Sequence, residues 1–346
     1  MTTLSHRTAV AVAAALLAAT PHLAKAECQI ILPGQPGGKP GTVIFQGCNV
    51  EINNGTGSTA NANGSGNLIL GYNEKRGGGD DRRTGSHNLV VGTRNNFTRN
   101  GGIVAGYQNE IGGDWSSICG GRENSASGAS ATVSGGRNNV ASGAYASVSG
   151  GQYGTASGGA AAVSGGWNNT ASAGFASVSG GSDNVATSDT PGDPYEPAYS
   201  SVSGGWSNRA EGRNSSASGG REGLASGVWS STAGGSSNQA AGQASFVGGG
   251  ELNVAGGLGG AILGGRANST GPQVDAAVVG GEENVAEGDL SVVTGGQENV
   301  AVADRATVTG GILNRAEGPQ STVSGGYSRS VSGVNDWAAG GLFQDE

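Results

Sequence analysis

From Tyr107 to Gly341 the chain falls into fifteen consecutive units, each ending in Gly-Gly. Thirteen are fifteen residues long; the unit starting at Arg266 has sixteen, and the unit starting at Ser182 has twenty-four. Glycine pairs at this spacing exclude a long helix, because each pair would cost a helix interior about 2 kcal/mol. A disordered chain gains nothing from keeping register, so the strict period also argues against a flexible low-complexity tail.

Within a unit the positions are specialised. Position 3 is Asn in twelve units, position 5 is Ala in twelve, and position 12 is Val or Ile in twelve. Position 12 is flanked by Ser or Thr, as in Ser147-Val148-Ser149. That alternation is the period-two pattern of a half-buried strand. Asn and Gly tolerate positive φ and are assigned to the corners. Each unit therefore reads as one coil, with a strand at positions 10–14, a Gly corner, an Asn turn and a short strand around the Ala.

Fifteen residues cannot bury a core alone, but stacked coils can pair strand on strand. The expected fold is all-β, a parallel β-solenoid rising ~4.8 Å per coil. Its core ladder is expected to run through Ile118, Val133, Val148, Val163, Val178, Val202, Val308 and Val323. One Val and one Ala per coil make a thin core, so several rods are expected to associate. Upstream, NLILG (67–71), NLVVG (88–92) and GIVAG (102–106) occupy the same strand position with larger side chains.

The phrases NLILG, NLVVG and ASVSGG (146–151) resemble the head repeats of trimeric autotransporter adhesins, the YadA-like head. The resemblance covers roughly residues 64–341. It implies a left-handed parallel β-roll, three chains side by side, and surface attachment. Two features depart from the family pattern. Its Ile is replaced by Gly in most later units (Gly150, Gly165, Gly180), and the chain ends at GLFQDE without a heptad stalk or a barrel-forming segment. A head-only, unanchored relative is therefore expected.

The organisation expected around the repeats is a signal peptide (1–26), a capping region (27–63), the repeats (64–341) and a short tail (342–346). His6 and Arg7 precede the apolar run AVAVAAALLAA, and Ala24 and Ala26 supply a small-x-small cleavage site. Export implies an oxidising compartment, in which Cys28 and Cys48 form the natural disulfide pair and Cys119 is a lone thiol. Removing Arg7 and Lys25 from 18 basic residues leaves 16 against 26 acidic ones, a net charge of −10. That disfavours nucleic acid and anionic lipid as partners. The expected partners are other copies of the chain and a host or matrix surface, with the chain extracellular or on a bacterial cell surface.

Two insertions break the rhythm. One carries Asp80, Asp81, Arg82 and Arg83, a candidate binding loop whose more ordinary reading is a self-paired solvated loop. The other, TSDTPGDPYEPAYS (187–200), carries Asp189, Asp193 and Glu196 as candidate Ca²⁺ ligands, and Tyr195 and Tyr199 as rings able to stack on a sugar. A tolerated surface loop is the more ordinary reading of this second segment. No cofactor other than that Ca²⁺ is expected. Aromatics recur at position 1 (Tyr107, Trp167, Trp206, Tyr327) and position 9 (Trp115, Tyr145, Phe175, Trp229). Interchain packing is the ordinary explanation, and a glycan-binding stripe the sharper one.

Regular Ser/Thr rows raise ice or crystal-surface binding as an alternative. Only Thr307 and Thr309 make a Thr-x-Thr pair, however. Catalysis is not expected. After signal removal His87 is the one histidine, and no Ser–His–Asp or metal-ligand spacing occurs.

Overall fold

A computed structural model describes residues 29–188 and 198–340. The chain divides into two compact units, one ending at Ile52 and the other beginning at Asn53. In the first unit, β1 (Gln29–Ile31) and β2 (Ile44–Gln46) form an antiparallel hairpin with Gln29 opposite Gln46. Cys48 follows β2, its Sγ 3.8 Å from the Gln29 carbonyl oxygen. Its expected partner, Cys28, lies outside the described residues.

The second unit is a parallel β-solenoid. Residues 53–63, grouped with the cap in the sequence reading, belong to it. The Asn63 N–H donates to Ser86 Oγ at 3.0 Å, and Asn100 Nδ2 donates to the Ala60 carbonyl at 2.8 Å. The first coils carry β3 (Leu68–Leu70), β4 (Leu89–Thr93), β5 (Asn96–Phe97) and β6 (Ile103–Tyr107). β3, β4 and β6 pair in parallel and continue, coil by coil, as two-residue strands at positions 11 and 12 as far as Trp337–Ala338. β5 starts a second sheet of sixteen strands, at positions 4 and 5, which ends at Ser330–Val331. Single parallel bridges at position 1 form a third line of contact, from Tyr107–Arg122 to Ile312–Tyr327. There is no helix among the described residues.

The stacking keeps like over like. Val133, Val148, Val163, Val178 and Val202 follow one another in direct register. The Val178–Val202 pair spans the twenty-four-residue unit, so the insertion leaves the ladder intact. All eight residues expected in the core ladder are buried. The strands are shorter than the expected 10–14 because the chain turns again within two residues.

Two further positions point inward. Position 10 is a buried Ala or Ser, for example Ala131, Ala146 and Ser215. Position 3, expected at a turn for its tolerance of positive φ, is a fully buried asparagine instead. Left-handed backbone falls at positions 2, 9 and 15, as at Asn138, Tyr145 and Gly151. Asn139 shows what the buried amide does. Its Nδ2 donates to the Gly135 carbonyl of its own chain turn and to the Gly151 carbonyl of the next, both at 3.0 Å. Its Oδ1 accepts the Gly154 N–H at 2.8 Å, while its own N–H donates to Asn124 Oδ1. The pattern recurs in an unbroken run from Asn253 to Asn314. It is interrupted where position 3 is Gly154 or Gly223. Near Gly223, position 12 also shrinks to Ala217 and Thr232, and the apolar core divides into two clusters, one ending at Ala217 and the other starting at Ala240.

The two glycines of each pair differ in kind. Gly151 has φ +85°, and a Cβ there would sit 2.4 Å from the Gly166 carbonyl oxygen of the next coil, so the fold requires glycine. Gly150 lies outside the left-handed region, and a Cβ there would meet nothing within 4 Å. Nothing within the chain explains the first glycine of the pair.

Replacing Asn139 with Ala removes three side-chain hydrogen bonds in a dry interior and strands the Gly154 N–H. At about 1–3 kcal/mol for each unsatisfied buried group, Asn139→Ala is expected to destabilise by ~2–5 kcal/mol. Thermal melting by circular dichroism checks this. A melting curve superimposable on that of the parent chain would show that the asparagine ladder contributes nothing.

Candidate binding surfaces

The inserted loop is tied down by Arg76, which the sequence reading did not single out. Its Nε donates to the Arg94 carbonyl at 2.9 Å, and its Nη2 to the Gln108 and Asn109 carbonyls at 2.6 and 2.8 Å. Arg76 and Arg82 both reach Glu110, each at 3.3 Å. The guanidinium thus spans two coils and caps the Arg94 and Gln108 carbonyls, adding a further donor to the Asn109 carbonyl, which already accepts the Asn96 N–H at 2.8 Å. Asp81 and Arg83 pair at 2.8 Å, but Arg82 pairs outside the run with Glu110, so the run pairs with itself only in part. Arg83 also donates to the Asn73 and Glu74 carbonyls. Asp80 and Arg82 are exposed.

Burial pushes the Asp81 carboxyl up. The Arg76 N–H and the Arg83 guanidinium outweigh it and hold the group below its ordinary value of 3.8. A depressed folded-state value means that the ionised carboxylate favours the pinned loop above the unfolded value, and that this contribution is lost as pH falls through the folded one. Arg76, Asp80, Gln108, Glu110, Glu123 and Asn124 line an open cleft of about 310 Å³ here. Two of its three acids are paired, Glu110 with Arg76 and Arg82 and Glu123 with Arg122 and Arg137, while Asp80 is exposed. Among the described residues no cluster of three His, Cys, Asp or Glu side chains could hold a metal ion. Asp189, Asp193, Tyr195 and Glu196 lie outside the described residues.

Tyr199 does lie within them, and it occupies a place in the repeat. It is the position-9 residue of its coil, and its ring stacks on Phe175 with centroids 5.2 Å apart. The two aromatic columns differ. At position 1, Trp167 meets Tyr153 edge-on at 6.3 Å, Trp206 lies 4.9 Å from the Arg221 guanidinium, and Tyr107 sits 6.0 Å from that of Arg94. Trp167 and Trp206 remain about half exposed, and Tyr327, also at position 1, is exposed with no ring or cation partner among the described residues. At position 9, Trp115, Tyr145 and Trp229 are 67%, 71% and 57% exposed, with no ring or cation partner among the described residues. All the position-9 aromatics have left-handed backbone, with φ between 44° and 60°. Period-two and period-fifteen reasoning did not separate the two columns, because both lie outside the strands.

Cys119 is a free, exposed thiol in the position-13 row otherwise rich in Ser. His87 occupies a left-handed turn with φ 58°. Among the described residues no helix is long and apolar enough to cross a membrane.

No known family model and no curated protein sequence matches this chain.

Asp81→Asn weakens the acceptor shared by the Arg76 N–H and Arg83. Brief trypsin digestion at neutral pH is expected to cut the variant after residues 76, 82 or 83 several-fold faster than the parent, with the rest of the rod uncut. Equal cleavage rates would show that the carboxylate does not hold the loop.

Proposed function

We propose that the chain is an exported, non-catalytic surface-binding rod that assembles as a homotrimer of left-handed solenoids, in the manner of the adhesin heads its repeats resemble. The observation that carries this reading is the column of position-14 glycines. From Gly135 through Gly295 each has open space where a Cβ would go, with none in the left-handed region. A glycine that its own chain does not need is accounted for by a neighbour's backbone approaching closely. From Ser117 to Ala233 the flanking rows, Ser147, Ser149, Ser177 and Ser179 among them, are small, which suits tight contact between two solenoid faces, while further on they carry Phe246, Leu263 and Val279.

The repeat makes such a face self-complementary along its length. Coils stacked ~4.8 Å apart put the same residue type at the same height in every copy. A contact available to one coil is then available to most of them. The mature charge of −10 makes a nucleic-acid role unfavourable and suits a soluble rod presenting its outer edges to a surface. A role in attachment to a host or matrix surface follows from the resemblance. The Cys28–Cys48 disulfide belongs to the same exported reading.

The flat Ser/Thr rows, in register from coil to coil, also suit an ice- or crystal-surface binder. Ser lacks the methyl group that such rows use, and thermal hysteresis is expected to be absent.

Light scattering on the signal-free protein is expected to give three times the single-chain mass. Gly150→Val with Gly165→Val is expected to lower that mass to one chain while retaining β circular dichroism, because both side chains would fill space only a partner uses. A parent protein of single-chain mass, or a variant that stays assembled, would sink the association.

A further inference from the structure

The position-9 column forms one continuous edge. Each position-9 N–H donates to the position-8 carbonyl of the coil before it: Ser130 to Asp114, Tyr145 to Ala129, Ala160 to Ala144, and Trp229 to Arg213. The rings along this edge fall in two runs. Trp115, Tyr145 and Phe175 occur in every second coil, with Ser130 and Ala160 between them; Tyr199 follows Phe175 in the very next coil and starts a second run, in which Trp229 is two coils on with Asn214 between. Two coils rise ~9.6 Å.

These rings stand on backbone that bulky residues disfavour. A left-handed φ costs a side chain with a Cβ roughly 1–2 kcal/mol per residue. Other coils answer the same geometry with Gly259, Asn214 or Asn335. The aromatic residues are therefore not there for the turn. Nor do they serve the core, since each is at least half exposed. Gly101 even leaves room for Trp115, as a Cβ at Gly101 would lie 3.0 Å from Trp115 Cδ1. Left-handed φ at position 9 belongs to every coil, Leu290, Arg305 and Gln320 included, so it is the exposure of the rings and not the strain that points to a site.

The two-coil interval within each run, Trp115 to Phe175 and Tyr199 to Trp229, selects the class of ligand. Packing against another solenoid would repeat in every coil, because every coil has the same backbone. A ligand engaging every second coil has a repeat twice the coil rise. An extended β-1,4-linked glycan has that property: each sugar is flipped relative to the last, so the same pyranose face returns at every second residue, over about the length of two coils. Aromatic faces stack on the C–H face of a pyranose. Between the charged position-8 residues Asp114 and Arg213, which flank the edge near Trp115 and Trp229, no described residue at positions 8 or 9 is charged, and this central stretch fits an uncharged polymer.

We propose that the position-9 edge, with Trp115, Tyr145, the Phe175–Tyr199 pair and Trp229 as platforms, binds an extended, uncharged β-1,4-linked polysaccharide lying along the solenoid axis. This gives a ligand class to the surface-binding reading above and rests on that reading. It places the polysaccharide on a corner edge, away from the position-14 glycines.

The test is depletion of the signal-free full-length protein from solution by microcrystalline cellulose and by chitin, with cross-linked dextran, an α-linked glucan, as the comparison. Cellulose or chitin is expected to deplete the protein and dextran is not. The triple variant Trp115→Ala/Tyr145→Ala/Trp229→Ala is expected to bind at least about tenfold more weakly, the effect of losing interface anchors worth more than 1 kcal/mol. Tyr327→Ala, a position-1 change, is expected to bind like the parent. Circular dichroism on each variant confirms that the β-solenoid is retained; because the rings are exposed, it is expected to be.

Three results would overturn the proposal: no depletion by either β-1,4 polymer, equal depletion by dextran, or unchanged binding by the folded triple variant. So would a triple variant whose mass by light scattering falls below the parent's, because the rings would then be interchain contacts. Attachment to cell surfaces, measured in parallel, separates the two readings. Attachment without depletion by cellulose or chitin removes the polysaccharide alone. Depletion without attachment removes the adhesin role alone.

Discussion

Each coil holds the next through groups that recur at the same height every fifteen residues, and the buried asparagine at position 3 is the most demanding of them. Its amide joins three levels at once, as Asn139 does in binding Gly135, Gly151, Gly154 and Asn124. Those groups would otherwise be backbone donors and acceptors shut away from water, where each unpaired group costs more than a hydrogen bond returns. The ladder therefore fixes both the spacing of the coils and the identity of their corners. The second glycine of each pair must come within touching distance of its counterpart one coil on, and a side chain there would displace the carbonyl that the asparagine uses.

This changes how a solenoid with so little apolar volume coheres. Val at position 12 and Ala at position 5 fill the interior, but they form a narrow strip. The specificity of stacking lies in the polar ladder beside it. Where the ladder lapses at Gly223, the apolar strip also narrows, at Ala217 and Thr232, and the core splits into two clusters. Polar and apolar ladders weaken together there because they share the same interior space. Nearest-neighbour repeat stability makes such a point a natural boundary for local opening.

The outside of the rod divides by the same logic. From Ser117 to Ala233, strand positions 11 and 13 with the spare glycine at 14 form a flat, small-residue face, suited to close approach. Position 9 forms a corner edge that carries rings on strained backbone. Position 1 forms another, on which Tyr107 and Trp206 meet Arg side chains. The Arg76 loop is a local elaboration that satisfies exposed carbonyls at the N-terminal coils. A face for self-association and an edge for a ligand can coexist on one rod, since a solenoid repeats every surface separately along its length.

The repeat length, a strand through the position-12 Val, the buried Val and Ala ladders and the parallel solenoid were all legible in the sequence, because period and side-chain volume carry that information directly, although the strand was expected to span positions 10–14 and not two residues. The self-pairing of Asp81 with Arg83 was legible too, as neighbours of opposite charge. The role of position 3 was not. Asparagine suits an exposed left-handed turn and a buried ladder equally well, and only the direction of the chain at the corner decides between them. That direction puts positive φ at positions 2, 9 and 15 and turns position 3 inward. Likewise the sequence shows two glycines in every unit without saying that they differ; the second touches the next coil and the first faces open space. It also shows rings at positions 1 and 9 alike, whereas in the structure Tyr107 and Trp206 at position 1 meet Arg side chains and Trp115, Tyr145 and Trp229 at position 9 meet no ring or cation among the described residues. The sequence by itself determined what repeats and what is buried by volume. Tertiary structure decided which polar group faces in and which ring faces out, because those depend on where the backbone bends between the strands.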